Sequence, residues 1–511
     1  MAGRKSESGL GASVLANFVG SAWSTIVAIV FVPFYLKHLG AEGYGIVGFS
    51  TTLLSIVAFL DGGLTLTVNR ELARLSDAPS NATPIQETLS AGGILFAIIA
   101  ASVTVVVWLG APWIATRWLN ANHLGVDEIV ISIRLIGFVL GEQMLLALTQ
   151  GALFGLHRQT TVNLVLIGAS TVRAVGAALI LKYVSATPSA FFAWYAFTLL
   201  AQICILYILL VVFIGAATPF AWPRASVIKT LLLQTRGFGA IALLSLALSQ
   251  IDKIVVSRLL PLQDFGYYMV AMSVSLAPLM IVGPFTSAIF PRLARLSASK
   301  TQGAFDLFYR GTQMVTALIM PVGFTFSLFA REIVFAWTGN ATVTSHVAPI
   351  LSILVVAYSI NASLQMPYYF EMAHARTRMN VIISAVALVL VVPTMVVLTA
   401  RFGAVGAASC WLLLNIGILF VGAPLVLRKA LETELWRYYT VRLLPSYAFA
   451  ALVVGLARYL TPYGLPRIVG GALSVAVMMV AIAACFLAIP ALRALLIRRG
   501  RILYATVHRP S

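Results

Sequence analysis

The sequence has few charged residues. They make up only 10% of its 511 positions, whereas 60% are hydrophobic and the mean hydropathy is +0.97. So few polar side chains cannot coat a water-soluble globule. Acidic residues are the scarcest, with 16 against 34 lysines and arginines, which leaves a net charge of +18. The composition therefore places the chain in a lipid bilayer and leaves its positive charge to be explained.

Cysteine and nucleotide-binding motifs are also nearly absent. The cysteines Cys204, Cys410 and Cys485 all fall in apolar runs, which excludes a disulfide framework and a zinc-site spacing. No Walker A motif is present, so ATP is not the direct energy source. No outer loop is long enough to hold a catalytic site. We therefore expect no bound cofactor and no enzymatic activity, and a membrane glycan polymerase is the least favoured alternative.

Long apolar runs occupy most of the chain. A helix needs roughly 20 apolar residues to cross a bilayer, whereas the strands of a membrane barrel are shorter and alternate in polarity. Fourteen runs reach that length, at 13–36, 44–66, 88–112, 129–153, 161–183, 190–214, 234–257, 266–290, 311–330, 347–370, 380–400, 404–427, 442–460 and 467–490. They predict an all-α integral membrane protein with about 14 transmembrane helices.

The basic residues are sorted by loop. If the N-terminus is cytoplasmic, most of the lysines and arginines fall in inner loops and tails. This is the pattern expected for an even number of spans with both termini in the cytoplasm. Anionic lipid of the inner leaflet then accounts for the charge, and a nucleic-acid partner is not needed. We expect a multi-pass membrane protein with both termini in the cytoplasm and with membrane lipids as partners.

Part of the sequence occurs twice. The phrase "LARLS" at 72–76 returns at 293–297, an offset of 221 residues. At the same offset "KHLGAEGYG" aligns with "RLLPLQDFG" without a gap, and Pro261 stands where the first copy has Gly40. A third match, His-x-x-Thr-x-x-Asn, begins at His157 and again at His374. Several ordered matches at nearly constant spacing indicate an internal duplication.

Both LARLS copies follow an even-numbered span, so the two halves enter the membrane in the same orientation. Such parallel repeats are related by an axis along the membrane normal. We predict two six-helix lobes, 10–215 and 230–428, followed by two additional transmembrane helices at 442–490. Transporters of this type bind cargo between the lobes and expose it to one side of the membrane and then to the other.

Two stretches resemble a known family. The stretch "FVPFYLKHLGAEGYGIVGF…DGGLTLTVNRELARL" resembles the first two spans of bacterial polysaccharide flippases, the Wzx-type branch of the multidrug/oligosaccharidyl-lipid/polysaccharide exporter superfamily. The stretch "SQIDKIVVSRLLPLQDFGYYMVAMS" is similar to the opening of the second half. The resemblance implies a flippase for undecaprenyl-diphosphate-linked oligosaccharide repeat units of O-antigen or exopolysaccharide. It also implies coupling to protons or sodium, and polysaccharide polymerase machinery as a partner.

Basic residues in or beside the spans are the candidate substrate-binding residues. A charged side chain near mid-bilayer costs about 2.5–3.5 kcal/mol on insertion scales. Each such residue is therefore expected either to pair with another polar group or to have a functional role. We predict that Arg173, Arg134 and Lys253 contact an anionic cargo, although Arg134 could instead extend to the outer headgroups. The LARLS segments, taken to include the residues just before each phrase (70–76 and 292–297), add two arginines per lobe at the inner mouth, namely Arg70, Arg74, Arg292 and Arg295. Arginine binds phosphate bidentately, but membrane topology alone also explains their location.

Three acidic residues are candidates for coupling or gating: Asp252, Glu142 and Asp61. Glu142 and Arg173 should lie at similar depth on consecutive spans, which predicts an ion pair that is either structural or exchanged when Arg173 binds cargo. Asp252 is predicted to couple protons or cations, or else to pair locally with Lys253 or Arg258. Asp61 precedes Gly62-Gly63, which aligns with Gly283-Pro284; these helix breakers predict either matching breaks in moving segments of both halves or, since glycine is common in membrane helices, close helix packing.

Polar residues form stripes on two spans. Ser245, Ser249 and Asp252 share one helical face, and Asn17, Ser21 and Ser24 share another. Such stripes indicate either hydrogen bonding between helices or a wet cleft. A multidrug or cation exporter of the same superfamily remains an alternative function. Its binding pocket should be purely acidic, whereas the basic residues named above favour anionic cargo.

Overall fold

The computed structural model describes most of the chain. The described residues are 2–76, 82–215, 221–235, 239–298, 302–374, 378–431, 434–462, 464–490 and 493. The side chains of Asn17 and Ser245, on which the two predicted polar stripes depend, lie outside this description. Within it, the regular elements are helices, and an isolated bridge joins Asn120 to Pro261. The all-α prediction is therefore confirmed.

Eight helices precede the second copy of the repeat turn. They are α1 Ala2–Leu60, α2 Leu64–Ser76, α3 Ala82–Trp113, α4 Val126–Gly155, α5 Gln159–Tyr183, α6 Pro188–Ile214, α7 Ala225–Thr235 and α8 Gly239–Leu259. A π-helical turn, Ile114–Trp118, continues α3. α1 bends at Gly40, whose φ of 70° is accessible to glycine without strain. The bend separates the first two predicted spans.

Eleven helices follow. They are α9 Leu262–Ser275, α10 Ala277–Ala298, α11 Gln302–Leu328, α12 Ala330–Thr338, α13 Ala341–Ser363, α14 Gln365–Ala373, α15 Arg378–Gly417, α16 Ala423–Leu431, α17 Leu435–Arg437, α18 Leu444–Leu460 and α19 Arg467–Ala488. α15 bends at Gly403, where φ is 61°. This bend separates the eleventh and twelfth predicted spans in the same way.

The helices match the predicted apolar runs. Among the described residues, eleven helical stretches are long and apolar enough to cross a membrane. Two of them, Val19–Leu60 and Arg378–Arg428, contain the bends at Gly40 and Gly403 and so cover two predicted runs each. Helix is present in each of the fourteen runs. The structure is that of a multi-pass membrane protein, and the total of fourteen crossings is compatible with it.

The chain divides into two compact units, Met1–Gly266 and Tyr267–Ser511. α8 therefore packs with the first unit, where it contacts α1. The predicted lobe boundaries at 215 and 230 come from the repeat and remain a prediction. The C-terminal helices α18 and α19 pack against α11 within the second unit.

The predicted matching helix breaks are not found. In the first half the chain turns at Asp61, Gly62 and Gly63, with φ values of 52° and 86° at the two glycines. In the second half Gly283 lies inside α10, and the chain breaks earlier, between Ser275 and Ala277. Gly283 and Pro284 both lie inside α10, which continues through them to Ala298. A glycine permits a break without requiring one, whereas Pro278 lies in the first turn of α10, where proline is favoured. The prediction of equivalent breaks was wrong for this reason.

A buried ion pair fastens α18 to α12. Arg458 Nη1 lies 2.7 Å from Glu332 Oε1, and the two side chains are only 13% and 9% exposed. The other carboxylate oxygen of Glu332 is buried without a hydrogen-bond partner in the described structure. Arg467, at the start of α19, donates to the carbonyl oxygens of Ala336 and Trp337 near the end of α12. These contacts join the C-terminal helices to the body of the second unit.

This ion pair predicts a large and non-additive effect on stability. Removing one member of a buried pair leaves the other charge unpaired, which typically costs about 3–5 kcal/mol. We expect Arg458→Ala to lower the thermal unfolding midpoint of the purified protein strongly. The double variant Arg458→Met/Glu332→Leu should recover most of the loss, because apolar side chains of similar size need no partner. A single variant as stable as the parent would show that the pair contributes nothing.

Candidate functional site

Arg173 lies in a polar cluster between α5 and α6. Its Nε donates to Thr198 Oγ1 at 3.2 Å and its Nη2 donates to Gln202 Oε1 at 2.8 Å. The guanidinium carbon lies 4.5 Å from the ring centroid of Tyr195, a cation–π contact. Each of these three partners is electrically neutral. The arginine is therefore held in position while its positive charge is not cancelled.

Two contacts fix the backbone around Arg173. Trp194 Nε1 donates to the carbonyl oxygen of Arg173 at 3.1 Å, and Tyr35 Oη donates to that of Ala174 at 3.2 Å. Gly176, one turn further along α5, leaves room for the Trp194 indole, which a Cβ at this position would overlap. Helices α1, α5 and α6 thus meet closely at the depth of the arginine.

The predicted ion pair between Glu142 and Arg173 is not formed in this conformation. Both residues are described, and Arg173 uses Thr198 and Gln202 as acceptors instead. Glu142 lies within electrostatic range of Arg173, but its Oε2 is buried without a hydrogen-bond partner in the described structure. The amide nitrogen of Gln202 is likewise buried and unpartnered there. The structural ion pair is thus excluded for this state, and the exchange of partners remains a prediction.

Sequence reasoning missed the α6 partners of Arg173. Tyr195, Thr198 and Gln202 follow i, i+3, i+7 spacing in an otherwise apolar helix. Residues at this spacing share one helical face. That stripe was a usable signal for the helix face that binds Arg173.

Arg134, on α4, contacts α3. Its guanidinium carbon is 4.2 Å from the ring centroid of Trp108 on α3. Among the described residues, no hydrogen bond, ion pair or ring contact joins Arg134 to the cluster around Arg173. The structure therefore does not bring the two in-span arginines together in one site.

Asp252 and Lys253 pair with each other on α8. Lys253 Nζ lies 3.1 Å from Asp252 Oδ1 and donates to the carbonyl oxygen of Ser249 at 2.7 Å. The side chains are 1% and 11% exposed. Of the two local pairings considered from the sequence, Asp252 with Lys253 is the one present. Lys253 points into the protein and not to lipid, and a role for either residue in cargo binding or coupling remains a prediction.

Asp61 has a structural contact at the start of α2. Its Oδ1 accepts hydrogen bonds from both the backbone nitrogen and the hydroxyl of Thr65, each at 2.8 Å. These bonds satisfy donors at the helix N-terminus. α2 then packs closely on α4, where a Cβ at Gly151 would approach Thr65 and one at Gly155 would lie 2.5 Å from the carbonyl oxygen of Asn69.

The arginines of the two LARLS segments are exposed. Arg70, Arg74, Arg292 and Arg295 lie on α2 and α10 with accessible side chains. Arg74 forms an ion pair with Glu71 at 2.5 Å, and this hydrogen bond raises the pKa of the Arg74 guanidinium. The four residues keep the accessibility that the predicted inner-mouth role needs.

The first repeat turn anchors the loop before α4. The carboxylate of Glu42 is 5% exposed and accepts hydrogen bonds from the backbone nitrogens of Asn122, His123 and Leu124 at 2.7, 2.9 and 2.9 Å. Three such bonds to one carboxylate hold the loop to the turn. The glutamate of the "LGAEGYG" motif therefore has a structural role that its position in the motif did not reveal.

The two repeat turns meet, and the contact is symmetric. A Cβ at Gly45 would lie 2.6 Å from the carbonyl oxygen of Leu262, and one at Gly266 would overlap the carbonyl oxygen of Ala41. Ala41 aligns with Leu262 and Gly45 aligns with Gly266 at the offset of 221 residues. Each glycine thus contacts the residue equivalent to the one its counterpart contacts. The reciprocity is local to these two turns, both of which lie in the first compact unit.

A family model for "Polysaccharide biosynthesis protein" matches residues 10–297, which is more than half of the chain. The chain belongs to this polysaccharide biosynthesis protein family. The match spans the bend at Gly40, the Arg173 cluster, the two repeat turns and both LARLS segments. The resemblance to polysaccharide flippases predicted from the two repeat turns is confirmed.

Individual proteins agree with the family. A putative O-antigen transporter from Shigella flexneri is 23% identical over 400 residues, covering 77% of this chain and 92% of that protein. The inward closed conformation of the lipid II flippase MurJ superposes with a TM-score of 0.69 at 14% identity, covering 93% of this chain and 98% of the other. An inward-facing MATE multidrug transporter of the MOP superfamily gives 0.62 at 14% identity, covering 86% and 96%.

This chain therefore has the fold that MurJ and the MATE transporter share. At such low identity the structural likeness establishes the fold alone. The relatives and structural neighbours are named as transporters and flippases, not as enzymes.

Proposed function

We propose that the protein is a flippase that moves undecaprenyl-diphosphate-linked oligosaccharide units across the bacterial inner membrane by alternating access. Family membership and the similarity to a putative O-antigen transporter support the class of cargo. The observation that carries the proposal is Arg173, a cation inside an apolar span that is positioned by neutral partners only.

The chemistry of Arg173 suits a diphosphate. A permanent cation away from water is unfavourable unless an anion approaches it, and a carboxylate partner would cancel it before cargo arrives. Thr198 and Gln202 occupy Nε and Nη2 without supplying charge, and Nη1 has no hydrogen bond among the described residues. The guanidinium is therefore pre-positioned to donate to a phosphate oxygen.

Glu142 would be the partner of Arg173 in a second conformation. Its unpartnered oxygen and its electrostatic range to the guanidinium suit an exchange in which Arg173 pairs with Glu142 after the cargo has left. A return step without cargo would otherwise expose an unpaired cation. This exchange would make the pair part of the gating cycle.

The reciprocal contact of the two repeat turns supports alternating access. Gly45 and Gly266 allow two backbone segments to touch with no side chain between them. Such a contact excludes bulky cargo where it is formed. We propose that it separates and re-forms in each transport cycle.

Deletion of the gene tests the function as a whole. The expected result is loss of surface polysaccharide together with sugar-diphospholipid that accumulates on the cytoplasmic leaflet, measured by lipid extraction and leaflet-selective labelling. Restoring the parent gene is the control. Unchanged export combined with increased drug sensitivity would contradict the proposal and indicate the multidrug alternative.

Asp252 is the residue to test for ion coupling. Asp252→Asn keeps the size of the side chain and removes the charge that Lys253 balances. If this carboxylate binds the coupling ion, the variant should change the pH or sodium dependence of transport into vesicles. Ser249→Ala, which leaves the carbonyl contact to Lys253 in place, serves as the matched control. A pH and sodium profile equal to that of the parent would leave Asp252 with a structural role only.

The arginines of the LARLS segments are tested as a pair. Replacing both Arg74 and Arg295 by alanine should slow transport severalfold if they gather the diphosphate headgroup before it enters. The orientation of the protein, mapped by cysteine labelling, should remain unchanged. Transport at the parental rate would mean that these charges serve membrane topology alone.

A further inference from the structure

Helices α3 and α4 approach each other closely below Arg134. A Cβ at Gly137 would lie 3.3 Å from the carbonyl oxygen of Thr104, and the Thr104 hydroxyl donates to the carbonyl oxygen of Gly137 at 3.1 Å. Gly141, one turn further along α4, also faces Thr104. Arg134 is one turn from Gly137 in the opposite direction, toward the loop that connects α3 to α4. This close approach of α3 and α4 turns Arg134 toward α3, near the end of α3 and the start of α4.

The aromatic partner of Arg134 is open to the surroundings. The guanidinium carbon lies 4.2 Å from the ring centroid of Trp108, which is 40% exposed. Exposed apolar side chains surround this pair, including Val105, Leu109 and Ile131. Both helices are long and apolar enough to cross the membrane. Arg134 thus lies at an apolar surface of the kind that contacts lipid.

The hydrogen-bonding groups of Arg134 are not used by the described part of the protein. Its Nε is buried without a partner, and among the described residues neither a carboxylate nor another acceptor receives a hydrogen bond from its terminal nitrogens. Arg173 and Arg458, in contrast, donate to side-chain acceptors. Acyl chains have no acceptors, so a cation placed here needs an anion from outside the protein.

The depth of the pair brings a lipid phosphate within reach. Arg134 follows the first residue of α4 by eight positions, about 12 Å at the helical rise per residue. Trp108 precedes the end of α3 by five positions, or about 7.5 Å, and the π-helical turn Ile114–Trp118 continues the helix beyond that point. A long arginine side chain extends toward the interface, and tryptophan is enriched at headgroup level. From about two helical turns inside α4, the side chain of Arg134 can therefore extend toward the phosphate layer of a bilayer.

We propose that Arg134 and Trp108 form a binding site for the phosphate group of a bilayer phospholipid. The guanidinium donates to the phosphate oxygens, and the indole holds the guanidinium plane through a cation–π contact. The acyl chains would lie along the exposed apolar face of α3. The site occupies the leaflet next to the α3–α4 connection, which is the outer leaflet in the predicted topology. This assignment goes beyond the proposed transport function and does not depend on the cargo.

Lipid retention by the purified full-length protein tests the site. The protein is delipidated in detergent and titrated with dioleoyl phosphatidylglycerol, and bound lipids are counted by native mass spectrometry. We expect Arg134→Gln to weaken binding of the tightest lipid about tenfold, which corresponds to about 1.4 kcal/mol, because the charged donors to the phosphate are lost. Arg134→Lys should lose less because the charge remains, and Trp108→Leu should also weaken binding.

Two further binding measurements identify the ligand. Dioleoylglycerol lacks the phosphate and should bind weakly, and inorganic phosphate should not displace the lipid because it lacks acyl chains. Arg117→Gln, an exposed arginine on the π-helical turn at the same end of α3, is the matched control and should retain lipid as the parent does. Thermal unfolding midpoints verify that each variant is folded.

Several results would overturn the assignment. Equal retention by Arg134→Gln and the parent would exclude the site, and an equal loss in Arg117→Gln would reduce it to general surface charge. Displacement by inorganic phosphate would identify a free-anion site, and strong binding of dioleoylglycerol would identify an apolar groove alone. The measurement contains no cargo, so any of these results leaves the proposed flippase function unaffected.

Discussion

Replacing Arg173 by alanine is expected to abolish export of the lipid-linked glycan. The variant loses a positioned cation whose hydrogen bond to a phosphate would contribute about 1.5–3 kcal/mol, so transport should fall by at least about tenfold. Arg173→Lys should keep part of the activity, because the charge remains while the planar, bidentate donor set is lost. Transport into inverted vesicles, normalised to protein abundance, measures the effect.

A neutral variant separates charge from structure at this position. Arg173→Gln has no charge, and its side-chain amide stands near the position of Nε, so it can still donate to Thr198 although the Nη2 bond to Gln202 is lost. It should transport as poorly as the alanine variant while remaining abundant. Arg401→Ala removes an exposed arginine elsewhere in the chain and should be neutral. Normal export by Arg173→Ala at normal abundance would disprove the cargo role.

Adding a single methyl group at Gly266 is expected to block the cycle. Alanine favours the helical conformation of α9 over glycine, but its Cβ would overlap the carbonyl oxygen of Ala41. The two repeat turns could then no longer close, and transport should fall severalfold or more. In a Cys204→Ser background, labelling of Ala41→Cys by an impermeant maleimide should rise, because the contact that shields the turn is weakened.

The duplication supplies matched controls for this experiment. Gly45→Ala opposes Leu262 in the equivalent contact and should reproduce the defect. Gly283→Ala and Gly168→Ala place a methyl group in open space and should leave both transport and labelling unchanged. Parental transport by Gly266→Ala would show that the turn contact is not part of the cycle.

The contacts of Arg173 could be predicted from the sequence only in part. Sequence position gives the depth of a residue in the membrane, since each helical residue adds a constant rise. On that basis Glu142 and Arg173 were expected to pair. Which residues touch also depends on how each helix is rotated about its axis, and the packing of α5 on α6 turns Arg173 toward Thr198 and Gln202.

The positions of the helix breaks could also be predicted from the sequence only in part. Gly62 and Gly283 are equivalent in the duplication, yet only the first ends a helix. A glycine permits a break without requiring one, and the outcome depends on its neighbours. Gly62 is followed by a second glycine, and the preceding aspartate caps the next helix. Gly283 lies inside α10, which begins beside Pro278.

Apolar length, charge sorting and repeated phrases are properties of the chain alone, and they are sufficient to predict a helical membrane protein with a duplicated motif. Which polar side chains meet is known only from the packed helices: Arg173 with α6, Asp252 with Lys253, Arg458 with Glu332, and Glu42 with the loop before α4. Such pairings depend on helix rotation and close approach, which arise only when the helices pack.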